Sequence, residues 1–465
     1  MSNGRFVFPS WCCRATGWLA GLAGLALLGS CSPDGGTRAL PPPTGHFEGR
    51  ISFQGADLRT TLDLREVKPG QLEGDFRLAD LPGLGFPAEN LQFKSPQLHF
   101  ERRPNAGPGN MVVDAIREGD FLRGLFTTDS VKADLLLVRR GKPEPRPYRE
   151  VPLRFRSGTL MLTGTLLVPD DTLRRHPAVV LLADTRTPHQ RDLRAYADLL
   201  VRHGFVALVY DRRDAKQTRR QPGPHSVQDL ADDALAAVRA TRQSPAVDSL
   251  HVGLWGLGQG GHVAALTAAT AKKAVAFVVA VSGPGVPLAT VARFQSTALL
   301  RRRNVAPTDI QKAEQAFGQL ERYVRRNGQD DTTRLHDLLQ QVGQQPWAQY
   351  TTLPRRVPTA QELQSQPRWR GLLPDPRTAW QQVRVPVLLL YGAADDQLDA
   401  RESARRLRGV VGYRRGSAVR VYANANHEIM LPAGVRPDTD GKWDWPRPSP
   451  GYVEDMLAWM QQAAR

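Results

Sequence analysis

The stretch GLWGLGQGGHVA, from Gly253 to Ala264, constrains the fold of this chain more than any other. It joins a short apolar run, LHVGLWG, to a segment of small residues, HVAALTAAT. A continuous apolar run of this length is typical of a strand buried on both faces, and the following segment favours a helix. Glycines in the turn allow the strand and the helix to approach closely, because they carry no Cβ. The stretch therefore predicts a strand, a sharp turn and a helix inside an α/β domain.

Strands and helices alternate on both sides of this turn. Buried strands are indicated by HPAVVLLAD, FVALVYD, AVAFVVAVSG, VPVLLLYGAADD and AVRVYAN, and helices by RDLRAYADLLVRHG and SVQDLADDALAAVRAT. This order predicts a mostly parallel sheet with helices on both faces over residues 150–465. The alternation stops between about 286 and 383, where the chain is rich in Arg and Gln. We expect this segment to be a helical cap inserted between two sheet strands.

The chain before residue 150 has a different texture. Residues 47–140 contain short runs in which apolar and polar residues alternate, such as QLEGDFRLADL and ADLLLVRR, separated by Gly, Pro and Asn. Period-two alternation with such breaks predicts antiparallel strands. We therefore expect a small all-β domain at 47–140, joined to the α/β domain by a proline-rich linker at 141–149. The β domain shows no cluster of catalytic residue types.

The N-terminus carries the marks of an export signal. Two arginines accompany an apolar run that is too short for a confident membrane span, and the run ends in LLGSC. This ending resembles the bacterial lipobox, which implies a signal peptide at 1–30, a lipid on Cys31 and a Pro/Gly-rich tether at 31–46. Ser32, in place of aspartate, favours the outer membrane of a Gram-negative cell envelope. An ordinary signal peptide or a short anchor helix is the alternative.

Charge and motifs argue against several classes of protein. Lys and Arg number 62 against 46 Asp and Glu, for a net charge of +16, but the basic residues are scattered and form no stripe with aromatic residues. A solvated basic surface is therefore expected, and no nucleic-acid partner. HxxxH, CxxC, GxxxxGK[ST] and a GxGxxG after a first strand are missing from the sequence, so we predict neither a metal nor a cofactor. The oligomeric state is left open.

Three loops at one edge of the predicted sheet could carry chemistry, since ligands bind beyond the carboxyl ends of parallel strands. They are the turn at Gly258, the loop LLLYGAADDQL with Asp395, and the loop VYANANHEIM with His427. This order of turn, acid and histidine is that of the α/β-hydrolases. The chain thus resembles that superfamily, namely its esterases and acyl hydrolases, including the dienelactone-hydrolase and serine-aminopeptidase-like groups. It is most similar to secreted members with an N-terminal β domain.

The resemblance assigns a role to each loop. It makes His427 the general base and Asp395 the acid that orients it, with Asp396 in reserve. The pattern G-x-S-x-G places the nucleophilic serine at position 258, where this chain has glycine. Gly258 is therefore a degenerate nucleophile position. It fits the strained, positive-φ turn better than serine, which costs about 1–3 kcal/mol there.

The oxyanion hole also departs from the family pattern. The resemblance makes Thr185 and Gln259 the candidate donors of backbone N–H groups to an oxyanion. The loop ADTRTPHQRD, however, places Asp184 where negative charge would develop, and a carboxylate opposes an oxyanion. A second loop, DRRDAKQT, has Asp214 where related esterases have glycine.

These departures lead to three hypotheses, and whether the chain is still an enzyme stays open among them. The first is a catalytically impaired hydrolase-fold lipoprotein that binds a small acyl or ester-like ligand, or a partner, in the old cleft. The second is an active ester or acyl hydrolase in which the pair Asp395–His427 activates a water molecule. The third is a non-catalytic interaction scaffold of the cell envelope. Ser282, at the end of another strand, is a less favoured substitute nucleophile.

Overall fold

A computed structural model describes twelve segments of the chain. These are residues 40–53, 56–78, 85–102, 111–128, 131–171, 173–186, 189–215, 225–271, 273–431, 434–435, 443–444 and 447–465. The predicted signal peptide, Cys31 and most of the predicted tether lie outside the described residues, so the lipid anchor stays a prediction. Within the described segments, no helix is long and apolar enough to span a membrane.

The N-terminal domain is one barrel-like antiparallel sheet of nine strands, which confirms the all-β prediction. Apolar side chains alternate to the inside, as Met111, Val113 and Ala115 do on one strand. The sheet order is β4-β3-β2-β1-β9-β8-β7-β6-β5. The strands are β1 (Gly45–Phe53), β2 (Ala56–Lys68), β3 (Gln71–Leu78), β4 (Gly85–Pro87), β5 (Glu89–Lys94), β6 (Gln97–Arg102), β7 (Met111–Glu118), β8 (Phe121–Thr128) and β9 (Val131–Gly141).

The second sheet has eight strands in the order β10-β11-β13-β12-β14-β15-β16-β17. The first three strands of this order pair antiparallel and the others parallel, which confirms the predicted mostly parallel sheet. The strands are β10 (Tyr148–Ser157), β11 (Leu160–Pro169), β12 (His176–Leu182), β13 (Val206–Tyr210), β14 (Val247–Leu257), β15 (Val278–Val281), β16 (Val387–Gly392) and β17 (Ala418–Tyr422).

Helices cover both faces of this sheet, and a further group of helices fills the segment between β15 and β16. The flanking helices are α1 (Arg194–Arg202), α2 (Val227–Arg242), α3 (Gln259–Thr270), α10 (Ala400–Val411) and α11 (Tyr452–Ala463). The inserted helices are α4 (Leu288–Arg302), α5 (Pro307–Arg325), α6 (Thr333–Gly343), α7 (Ala360–Ser365), α8 (Pro367–Arg370) and α9 (Arg377–Gln382). Two-residue strands after β17 are β18 (Met430–Leu431), β19 (Gly434–Val435), β20 (Trp443–Asp444) and β21 (Arg447–Pro448).

Burial on both faces explains the continuous apolar runs of the central strands. On β14, Leu254 packs among α2, α3 and α10, whereas Trp255 packs on the opposite face among α1 and α11. Both side chains are fully buried. A strand that is buried on both faces carries apolar residues at consecutive positions, as expected for parallel strands between two layers of helices. The polar residues that follow β12, β14, β16 and β17 are therefore gathered at the carboxyl edge of the sheet.

Candidate active site

The turn between β14 and α3 has the geometry of a nucleophile elbow without a nucleophile. Gly258 adopts φ 53° and ψ −120°, and its N–H donates to the carbonyl of Val281 at 2.8 Å. A Cβ on Gly256 would lie 2.3 Å from the carbonyl oxygen of Gly260. The strand and the helix therefore approach as closely as the sequence predicted. The left-handed backbone at Gly258 is one that glycine adopts without steric cost.

The structure brings the predicted acid and base together. Asp395 follows β16 and His427 follows β17, and Oδ2 of the aspartate accepts a hydrogen bond from Nδ1 of the histidine at 2.7 Å. The other carboxylate oxygen accepts from the backbone N–H groups of Gln397 at 2.8 Å and Leu398 at 3.1 Å. Both partners of the pair are buried. The imidazole is thus held with Nε2 free to face the elbow.

The predicted reserve acid lies elsewhere. Asp396 forms an ion pair with Arg302 of α4, the first helix of the inserted segment. The carboxylate of Asp396 therefore connects the Asp395 loop to the inserted segment. Asp395, and not Asp396, accepts the hydrogen bond from His427.

Asp184 occupies the space in front of the elbow. This residue follows β12 and is 7% exposed. A Cβ built on Gly258 would lie 2.5 Å from Oδ1 of Asp184 and 2.9 Å from Nε2 of His427. The carboxylate thus lies where the side chain of a serine nucleophile would begin.

Both predicted oxyanion donors are turned toward this carboxylate. The backbone N–H of Gln259 donates to Oδ1 of Asp184 at 2.9 Å, and the hydroxyl of Thr185 is 3.4 Å from the same oxygen. Burial alone would raise the pKa of Asp184, but the pKa is lowered, chiefly by the charge of His427. Hydrogen bonds from the backbone N–H groups of Gln259 and Thr185 lower it further. The oxyanion hole is therefore filled by the protein's own anion.

His427 lies between two carboxylates. Its Nε2 is buried and has no hydrogen-bond partner among the described residues. Burial disfavours the charged imidazolium, but Asp395, and after it Asp184, outweigh that effect and raise the pKa of His427. The imidazole therefore has one nitrogen fixed by Asp395 and the other directed at the place of the missing serine oxygen.

Three residues support the site in ways the sequence did not reveal. Ser282 donates from Oγ to the carbonyl of His427 at 2.8 Å, so its hydroxyl holds the histidine loop and is not placed as a nucleophile. Arg212 is buried, and its guanidinium donates to Oε1 of Gln259 at 3.1 Å. Asp214 pairs with that same guanidinium at 2.8 Å. Of these three residues, only Asp214 was indicated by the sequence, because it lies in a loop where related esterases have glycine.

The β domain also reaches this edge of the sheet. Arg102, the last residue of β6, carries a charge that lowers the pKa of Glu428, although burial, the larger effect, raises that pKa overall. Glu428 is the neighbour of His427 in the chain, and its carbonyl lies 3.4 Å from the hydroxyl of Tyr196 on α1. The following residue, Ile429, has a φ of 59°, which is rare for a β-branched side chain. The histidine loop is thus strained and supported from both domains.

No group of three or more His, Cys, Asp or Glu side chains is arranged to hold a metal ion in the part of the chain that the structure describes.

The sheet order, the elbow after β14 and the Asp–His pair after β16 and β17 define an α/β-hydrolase, which confirms the resemblance. Residues 158–410 match the family model of the X-Pro dipeptidyl-peptidases, the S15 family. The match covers more than half of the 465 residues, so the chain belongs to this family.

Solved structures of hydrolases resemble the chain at low identity. The dienelactone hydrolase of Anabaena variabilis is 14% identical, with 68% of this chain and 96% of that chain covered and a TM-score of 0.37. The α/β hydrolase GrgF of a Penicillium species is 18% identical, with 68% and 98% covered and a TM-score of 0.41. An esterase of Pyrococcus furiosus is 15% identical, with 60% and 84% covered and a TM-score of 0.38. A comparison with curated proteins gave no match.

Proposed function

We propose that this chain is a lipid-anchored hydrolase-fold protein that has lost the serine-dependent acyl-transfer reaction. The observation that carries the proposal is the distance of 2.5 Å between a Cβ on Gly258 and Oδ1 of Asp184. The nucleophile is missing, and the space for it is occupied. Loss of a serine nucleophile costs about 10⁶ in kcat even where the rest of the site is intact.

The filled oxyanion hole supports the same proposal. An acyl carbonyl needs free donors where its oxygen becomes negative, and each lost donor costs about 10²–10³ in rate. Here the N–H of Gln259 is already bonded to Asp184. An ester-like ligand remains our proposal for the cleft, held by groups other than the two oxyanion donors.

The test is an activity comparison on the full-length chain in detergent. We expect no labelling by a fluorophosphonate probe, and turnover of p-nitrophenyl acetate and of an Xaa-Pro p-nitroanilide no faster than in the His427→Ala variant. Fluorophosphonate labelling of a serine, lost in His427→Ala, would contradict the proposal.

A second candidate is hydrolysis by a water molecule that the Asp395–His427 pair activates. The unpartnered Nε2 of His427 favours it, since a general base needs a free acceptor facing the reacting group. Ester turnover without fluorophosphonate labelling, abolished in His427→Ala, would establish this candidate. If neither the wild-type chain nor His427→Ala hydrolyses an ester or binds an ester-like ligand, a scaffold role is favoured instead.

We also propose that a lipid on Cys31 anchors the chain in the outer membrane. The proposal rests on the LLGSC ending of the apolar run and on Ser32 after it. Membrane attachment by one hydrocarbon chain is marginal, whereas several chains hold a protein stably.

The anchor is tested by radiolabelled palmitate in a Gram-negative host. Cys31→Ser is expected to abolish labelling and to move the chain out of the membrane fraction, because the acyl acceptor is lost. Cys12→Ser and Cys13→Ser are the matched controls and should remain labelled. Label retained in Cys31→Ser would refute the anchor.

A further inference from the structure

The outer face of the β domain carries a patch of apolar side chains. On β7, β8 and β9, residues alternate between the core and the outside, and several of the outward positions are apolar. Ile116 is 48% exposed, and Phe121 and Leu125 are each 44% exposed. Leu136 and Val138 of β9 lie half-buried beside them. These five residues are named the β-domain patch. Apolar side chains that are exposed as a group, and not singly, mark an interaction surface.

The pairing of the strands places the β-domain patch around one guanidinium group. Arg123 lies on the same face of β8, and its partners on the neighbouring strands are Ile116 of β7 and Leu136 of β9. Phe121 and Leu125 flank it, two residues away on either side. Arginine can bury its aliphatic stem along apolar side chains while its charged end stays in a polar layer. A cation surrounded by apolar side chains therefore matches a phospholipid surface, where phosphate groups lie above acyl chains.

The ion pair of Arg123 leaves its guanidinium open to exchange. Its partner is Glu118, at 3.7 Å, and both side chains are exposed. Exposed ion pairs of this kind contribute little to stability. A phosphate group, in contrast, binds a guanidinium through two parallel hydrogen bonds. Arg123 can therefore exchange Glu118 for the phosphate of a lipid headgroup.

The described chain begins at the same end of the β domain. The N–H of Leu40 donates to Oγ of Ser95 at 2.9 Å, and the carbonyl of Pro41 accepts from the guanidinium of Arg117 on β7, a strand of the patch. Nine residues run from Cys31 to the residue before Leu40, and they can span at most about 30 Å. A lipid on Cys31 therefore keeps this end of the β domain near the membrane surface.

We propose that the β-domain patch docks on the phospholipid surface of the membrane, with its apolar side chains at the level of the upper acyl chains and Arg123 on a headgroup phosphate. The inference rests on the proposed lipid on Cys31 and deepens it, because it gives the anchored chain a defined face toward the membrane. Tethering raises the effective concentration of the patch at the surface. Contacts too weak to hold a free protein are then sufficient to orient an anchored one.

The test measures lipid contact at single labelled positions of the full-length chain bound to vesicles. Leu125→Cys and the matched control Leu250→Cys carry a nitrobenzoxadiazole fluorophore, in a background of Cys12→Ser and Cys13→Ser. Leu250, at 75% exposed, belongs to the α/β domain. The vesicles contain phosphatidylethanolamine, phosphatidylglycerol and a lipid with a nitroxide on its headgroup. We expect the fluorophore at position 125 to be blue-shifted and quenched, and the fluorophore at position 250 to be neither.

Substitutions in the β-domain patch give the second readout, in the chain labelled at position 125. Ile116→Ser with Phe121→Ser should lose most of the quenching, because the apolar contact is removed. Arg123→Gln should also lower the quenching, because its phosphate contact is lost. The control is Val67→Ser with Leu160→Ser, which removes two similarly exposed apolar side chains outside the patch, at 46% and 42%, and should leave the quenching unchanged.

Three results would overturn the inference: no binding of the full-length chain to vesicles, no more quenching at position 125 than at position 250, or equal quenching in the two double variants. Shielding of position 125 from iodide without quenching by the lipid, increasing with protein concentration, would assign the patch to a second copy and would overturn it as well. Palmitate labelling tests the lipid on Cys31 separately. The comparison of positions 125 and 250 is valid whichever segment attaches the chain to the vesicle.

Discussion

Gly258→Ser alone is expected to give no fluorophosphonate labelling, whereas Gly258→Ser combined with Asp184→Gly should be labelled. In the single variant, the new Cβ meets Oδ1 of Asp184 at 2.5 Å, and both oxyanion donors stay bonded to the carboxylate. Removal of Asp184 clears that space and frees the N–H groups of Gln259 and Thr185. Each freed donor accelerates such a reaction by about 10²–10³. We therefore expect the double variant to react at least ~100-fold faster than the single one.

The matched control has alanine at position 258, which keeps the backbone strain of the serine variant but has no hydroxyl group. Gly258→Ala with Asp184→Gly should not be labelled, so a signal in the serine variant reports the new nucleophile. Serine or alanine at a φ of 53° should also lower the free energy of unfolding by about 1–3 kcal/mol. Equal labelling of Gly258→Ser with and without Asp184 would show that the carboxylate does not block the elbow. A melting temperature raised by either substitution would contradict the strain.

Asp395→Ala is expected to lower the free energy of unfolding by about 3–5 kcal/mol, as the loss of one member of a buried charged pair does. Asp395→Asn should cost less, because an amide oxygen still accepts the N–H groups of Gln397 and Leu398. Urea unfolding of both variants separates these contributions. Equal losses in the two variants would mean that the pairing with His427, and not the loop hydrogen bonds, dominates.

The raised pKa of His427 also predicts how the free energy of unfolding depends on pH. The pKa of His427 is raised in the folded protein, so its charged form stabilises the fold. This contribution is complete below the unfolded value of about 6.5 and is lost as pH rises through the raised folded pKa. Wild-type stability should fall over that interval, and Asp395→Asn should show a smaller fall. His427→Gln should lack this component, and identical profiles for all three proteins would refute it.

The sequence predicted the sheet, the elbow and the order of the loops because each depends on local pattern. A buried apolar run, three glycines around position 258 and a polar residue after each strand are visible in the chain itself. The choice of Asp395 over Asp396 followed the family resemblance. The loop hydrogen bonds and the ion pair of Asp396 with Arg302 supply its physical reason.

The hydrogen bond that fills the oxyanion hole could not be predicted from the sequence, because Asp184 and Gln259 are 75 residues apart in the chain. The sequence indicated that a carboxylate there would oppose an oxyanion. Where its oxygens point depends on how β12 and β14 lie side by side. The role of Ser282 was missed for the same reason, since its partner, the carbonyl of His427, is 145 residues away.

The charge of Arg102, which lowers the pKa of Glu428, gives the β domain a share in the site. Arg102 belongs to the β domain, whereas Glu428 belongs to the histidine loop of the α/β domain, and burial lowers the pKa of Arg102 to about 10. Whatever shifts the end of β6 therefore changes the charge next to His427. The charge beside the histidine is thus set by residues of both domains, so a substitution at the end of β6 reaches the site through its charge alone.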